Sequence, residues 1–161
     1  MDENKILKYD GVVNEDETQE TIDKLLKTLE NDKYGDILEL SFSKIKSIKN
    51  DILQQLQLPR EKIKEFHKKL KEYRYIDEVD EFKLGNYIRT INLKNPDNLY
   101  LTSGGIIIDI EAVNSSILVK CKNFRNNIYN LKFEEHLFFQ KLNNEEQILL
   151  SVLSQLEKNS R

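Results

Sequence analysis

The sequence predicts an α+β protein: amino-terminal helices, then a small antiparallel β barrel of SH3-like or OB-like type, covered by a carboxy-terminal helix. Three observations predict it. Between Tyr73 and Leu142 short β-type runs follow one another, in "YRYIDEVDEFKLGNYIRTINL", "LYLTSGGIIIDIEAV", "SSILVKCKN" and "NIYNLKF". Ahead of them lies a lysine-rich stretch of helical periodicity. Behind them Ile148, Leu149, Val152, Leu153 and Leu156 form a wide apolar helical face that must cover something. The open end of the barrel is its expected place, and the short connections favour the SH3-like form. The expected division is 1–72, an acidic arm and helical region with a basic hairpin, and 73–161, the barrel with its last helix.

Residues 1–15 lack periodicity and read as an arm, with "KILKYDGVV" a candidate edge strand. From Asp16 to Glu30, Ile22, Leu25, Leu26 and Leu29 recur at helical spacing and predict a short helix. The stretch from Ile37 to Leu40 has no clear period. From Ser41, the series Phe42, Ile45, Ile48, Ile52, Leu53 and Leu56 makes one helical stripe, with Lys44, Lys46 and Lys49 mostly off it. Pro59 stops that helix and suits the start of the next, whose face carries Ile63, Phe66, Leu70 and Tyr73. The short link favours a hairpin over one kinked rod.

The β region is expected from about Tyr75. Its clearest unit is a hairpin pairing 104–112 with 116–122 across the turn "VNSS"; Ile117, Val119 and Cys121 alternate with Leu118, Lys120 and Lys122. "NPDN" and "FRNN" read as further turns, and "IYNLKF" and "HLFFQKL" as one or two closing strands. Asn143 or Asn144 then caps the last helix, with Gln147 where a capping box would close.

At 161 residues the chain has the size of one domain, or of one domain with a helical appendage. Charged residues make up 33% of it, which suits long solvated helix faces. The net charge of -3 hides an asymmetry. Residues 1–40 hold five Lys against twelve acids, residues 41–73 nine Lys and Arg against four acids, and the remainder is close to neutral. The single Cys121, the lack of a charged-then-apolar opening and the short apolar runs lead to an expectation of an intracellular, reducing location without a membrane span.

No motif for chemistry stands above its simpler explanation. Asp77, Glu78, Asp80 and Glu81 have the residue types for a hard cation or acid–base work, but read as a charged strand edge or a cap near Arg74. His67 and His136 lack partners at zinc spacing, and "FEEHLFF" is not the H-E-x-x-H pattern. Cys121 falls in an apolar strand phase and reads as a small buried hydrophobe. "TSGG" carries neither the nucleophile-elbow nor the phosphate-loop pattern and reads as a hairpin turn. The cations of the helical stretch are the stronger signal. Lys44, Lys46, Lys49, Lys62, Lys68 and Lys69 can line a phosphate-bearing or protein surface, with Lys120, Lys122 and Arg125 as a second, smaller patch.

Read as a string, "YRYIDEVDEFKLGNYIRTI" with "LTSGG", "VKCKN" and "LFFQKLNNEEQILLSVL" resembles a family of small uncharacterised proteins encoded by nucleocytoplasmic large DNA viruses. The resemblance covers about residues 73–157 and leaves out the amino-terminal third. It implies a viral source and a shared fold, hence a place in the host cytoplasm, viral factory or virion, and it transfers no catalytic residues.

Together these readings lead to an expected non-enzymatic viral protein, without cofactor or metal, that binds another protein as an adaptor or in assembly. The alternative is a nucleic-acid-binding accessory factor that uses the basic helices of residues 44–71.

Overall fold

The computed structural model describes residues 40–159, together with Glu20 and Asp23, both helical. The expected arm and edge strand over 1–15, the rest of the helix over 16–30 and the stretch before Leu40 lie outside the described residues. The chain divides into two units, one being Phe42–Gln147 and the other drawing on Met1–Ser41 and Ile148–Arg161.

The first unit opens with two helices, α1 (Phe42–Gln54) and α2 (Arg60–Lys69). The two helices touch: the His67 ring Nε2 lies 3.0 Å from Asn50 Oδ1, and Lys49 reaches the carbonyl of Leu70. Gln57 takes a left-handed φ of 56° in the link, and Pro59 stands just before α2, where its missing N–H costs no helical bond. The buried positions of α1 are Ile45, Lys49 and Leu53, spaced four apart. Phe42 and Ile48, expected on the inward stripe, are exposed. The helix is turned so that a lysine, not Ile48, fills the middle inward position.

Six strands follow: β1 (Tyr73–Ile76), β2 (Tyr87–Asn92), β3 (Gly105–Val113), β4 (Ser116–Lys122), β5 (Ile128–Lys132) and β6 (His136–Lys141). They form one antiparallel sheet in the order β1-β6-β2-β3-β4-β5. The expected closed barrel is not formed. Closure would need β5 to pair with β1, and β1, only four residues long, pairs with β6 alone.

The sheet is nonetheless strongly curled. Strands β5 and β6 stand four places apart, which in a flat sheet at about 4.8 Å per strand would separate them by about 19 Å. Only the 3-10 turn Phe133–Glu135 joins them, and at about 2 Å per residue it spans less than half of that. Phe133 stacks on Phe138 of β6 with ring centroids 5.6 Å apart. Part of the bend comes from a bulge in β3. Ile107 faces Cys121 and Asp109 faces Lys120, leaving Ile108 as the extra residue. The bulge also reverses the side-chain phase, so that Ile107 and Ile110 both reach the inner core although three residues separate them.

Two apolar clusters lie on the two faces of this sheet. The inner one joins Ile76, Phe82, Ile88, Ile107, Val119, Cys121 and Phe138. The other joins Leu53, Ile63, Phe66 and Leu70 of the hairpin to Ile91, Leu99, Leu137 and Phe139. Strand β6 is buried on both faces, which is why Leu137, Phe138 and Phe139 follow one another as an apolar run. The helical hairpin, assigned on sequence grounds to a segment ending at residue 72, thus shares a core with the sheet.

The predicted hairpin of β3 and β4 is present, turning through Asn114 and Ser115 at φ 49° and 66°, the left-handed geometry a two-residue β turn requires. "TSGG" is no hairpin turn. Gly104, at φ 93°, lies against the carbonyl of Ile88, and Gly105 lies under the Tyr129 hydroxyl and the Lys122 carbonyl, so both glycines serve close backbone approach.

The last helix, α3 (Asn144–Asn159), is capped by Asn143. Asn143 Oδ1 accepts from the Glu146 N–H at 2.8 Å and Glu146 Oε1 accepts from the Asn143 N–H at 3.1 Å. The box therefore closes through Glu146, and Gln147 instead donates to the Leu142 carbonyl. In the second unit, Leu149 and Leu150 are buried while Ile148 and Leu156 are exposed.

Candidate docking surface

Strand register decides what the outer face of the sheet presents. Tyr87 of β2 stands opposite Ile106 of β3, Ile106 opposite Lys122 of β4, and Lys122 opposite Ile128 of β5. Since Ile88, Ile107, Cys121 and Tyr129 point into the inner core, this row points outward. Ile106 is 44% exposed and Ile128 60%. At the end of β4 the turn adds Phe124, 74% exposed, with the Arg125 guanidinium 5.4 Å from its ring centroid. Asn123 Oδ1 holds this turn by accepting from the N–H groups of Arg125 and Asn127. The result is an apolar stripe broken by one lysine and edged by one arginine.

The cations singled out in the sequence fall into three groups. Lys122 and Arg125 come together beside this stripe, while Lys120, one row away, lies 3.7 Å from Glu111. On the hairpin, Lys44, Lys46 and Lys68 are exposed, Lys62 is half-buried, and Lys69 pairs with Glu65 at 2.8 Å. Lys49 presents no cation to a partner: it is 4% exposed and its Nζ donates to the Leu70 carbonyl at 2.6 Å.

The carboxylates of residues 77–81 act as a cap and clamp. Glu81 Oε1 accepts from the N–H groups of Asp77 and Glu78, and Oε2 accepts from the buried Arg74 at 2.9 Å. Gln140 ties the same turn to β6, its Nε2 donating to the Glu81 carbonyl and its Oε1 accepting from the Lys83 N–H. Lys83 Nζ lies 3.1 Å from the fully buried Glu146 at the start of α3. Arg74 and the acids stand out in the sequence, but Gln140, Lys83 and the pairing of Lys83 with Glu146 do not, since separations of about sixty residues leave no local signal.

Cys121 is buried, and desolvation pushes its thiol up to about 12, so it packs as the small hydrophobe its strand phase predicts. His136 Nδ1 contacts the Lys132 carbonyl at 2.8 Å. Among the described residues no three His, Cys, Asp or Glu side chains gather where they could hold a metal ion, and no helix is long and apolar enough to cross a membrane. Comparison with family models, curated proteins and solved structures gives no match.

Proposed function

We propose that this chain is a non-enzymatic protein-binding adaptor, of viral origin as its resemblance implies, and that the outward row of Tyr87, Ile106, Lys122 and Ile128 with Phe124 is its docking surface. One observation carries the reading: large apolar side chains are spent on the outside of a sheet whose two cores are already filled. Aromatic and aliphatic anchors beside an arginine are the composition of a protein interface. We also read the curled sheet as a variant of the SH3-like barrel. Its support is the run of β2 to β5 as neighbouring strands, the 3-10 turn before β6, and the return of β6 to the side of β2.

The exposed Lys46 and Lys68 on the hairpin favour nucleic acid as the second reading. Titration of the full chain against duplex DNA and single-stranded RNA separates the two. The adaptor reading expects little affinity at about 150 mM salt, because the net charge of -3 opposes a polyanion. Tight binding that weakens with a log–log slope of about -0.9 per phosphate contact would overturn it. Charge reversal at Lys46, Lys62 and Lys68 that flattened the slope would assign the hairpin instead.

A further inference from the structure

Resting on that docking surface, we infer that its occupant is an acidic, extended segment of a partner protein, which adds to the outer edge of β5 as a further antiparallel strand. The bonding phase of the β4–β5 ladder determines which groups are available. The Asn123 N–H donates to the Asn127 carbonyl at 3.0 Å, and the same register runs on through Cys121 opposite Tyr129 and Val119 opposite Leu131. Antiparallel ladders alternate bonded and non-bonded pairs, so the N–H and C=O groups of Ile128 and Asn130 point away from β4. Among the described residues nothing pairs with them, and β5 ends the strand order. The next carbonyl in phase, that of Lys132, is already engaged by His136. Among the described residues two positions of free edge remain, enough to align one strand and too few to invite indefinite sheet growth.

Charge identifies the kind of strand. Lys122 and Arg125 have no ion pair among the described residues. Glu111, across from Leu118, is already paired with Lys120 at 3.7 Å. A segment alternating acidic and apolar residues would place its carboxylates on the outward face shared by Lys122 and Ile128, within reach of these cations, and its apolar side chains on the inner face beside Tyr129 and Leu131. A nucleic-acid strand could use the cations but would leave the amide edge unpaired and the isoleucines without stacking partners.

The test pans the full chain against a displayed library of random dodecapeptides, alongside the variants Asn130→Pro and Lys122→Glu/Arg125→Glu. Proline at 130 removes an N–H that points outward and so sacrifices no bond to β4. Enriched peptides are expected to be acidic and alternating, and to bind either variant about tenfold or more weakly. On binding, amide exchange at Ile128 and Asn130 should slow in the wild-type chain, a readout that stands even if the proline variant misfolds. Basic or uncharged winners, equal binding to a folded Asn130→Pro variant, unchanged exchange at these amides, or an empty selection would each overturn the inference. A protein partner lost on Ile106→Glu/Ile128→Glu would in any of those cases leave the adaptor reading standing.

Discussion

Lys49 Nζ donates a 2.6 Å hydrogen bond to the carbonyl oxygen of Leu70, and the bond fastens α1 to the end of α2 from inside the core. The carbonyl is one that the helix end would otherwise leave underused, and the negative end of the α2 dipole favours a cation there. Burial, with repulsion from Lys46, nevertheless lowers the ammonium from 10.5 to about 8. Between those two values the unfolded chain holds the proton and the folded chain does not, so stability climbs with pH across the window, by on the order of 3 kcal/mol. Burial also raises the pKa of Cys121 and Tyr129, which lowers stability towards pH 10 in any variant. The Lys49 contribution is therefore read as the difference between wild type and Lys49→Met in denaturant melts, which should grow in favour of wild type from pH 7.5 to pH 10. At pH 7 Lys49→Met should lose no stability, since the Leu70 carbonyl keeps its bond from the Tyr73 N–H.

His67 titrates on the other side of neutrality. Burial first, then the Lys49 and Lys46 charges, lower its pKa below the ordinary 6.5. A group lowered on folding contributes stability above its unfolded value that is lost as pH falls through the folded one. The melting temperature should therefore drop from pH 7 to pH 5 by more in the wild type than in His67→Gln. Equal drops would mean that the ring has no such linkage.

Lys83 is the countercharge of a carboxylate with no access to water. Lys83→Met leaves Glu146 buried beside an apolar chain and should cost about 3–5 kcal/mol. Lys83→Met/Glu146→Gln removes the charge but keeps an oxygen for the Asn143 N–H, and should recover most of that loss. Urea melts of the two variants check it, and a single variant as stable as wild type would refute the pairing.

Gly104 has no room for a side chain. A Cβ there would overlap the Ile88 carbonyl oxygen and come within 2.8 Å of the Tyr87 ring, at a φ of 93° that other residues rarely adopt. Gly104→Ala should lower stability by roughly 2 kcal/mol or more, whereas Gly85→Ala, open on all sides, should cost only the strain of its φ, about 1 kcal/mol. Thermal melts that rank the two the other way would count against the close approach of β2 to the start of β3.

Local features were legible because their causes are local. The β3–β4 hairpin is written in the alternation of Ile117, Val119 and Cys121 and in the Asn-Ser turn, and the start of α3 in Asn143, although the expected box partner is Gln147 and the structure uses Glu146. What depends on register was not. No composition marks Ile108 as a bulge, yet that one extra residue decides which isoleucines of β3 enter the core. Lys49 looked like a solvated lysine because helical periodicity gives a face but not its rotation. Of the docking row only Lys122 stood out, as a charge; Tyr87, Ile106 and Ile128 become neighbours of it only once three strand pairings are known.

That row as a protein-docking surface is tested most directly by affinity isolation of the full chain from the cells that make it, after nuclease treatment, beside Ile106→Glu/Ile128→Glu. Both positions are exposed, so the variant should melt like the wild type. A protein partner is expected that survives nuclease on the wild type and is lost from the variant. Equal retention on both chains, or a partner released by nuclease, would contradict it.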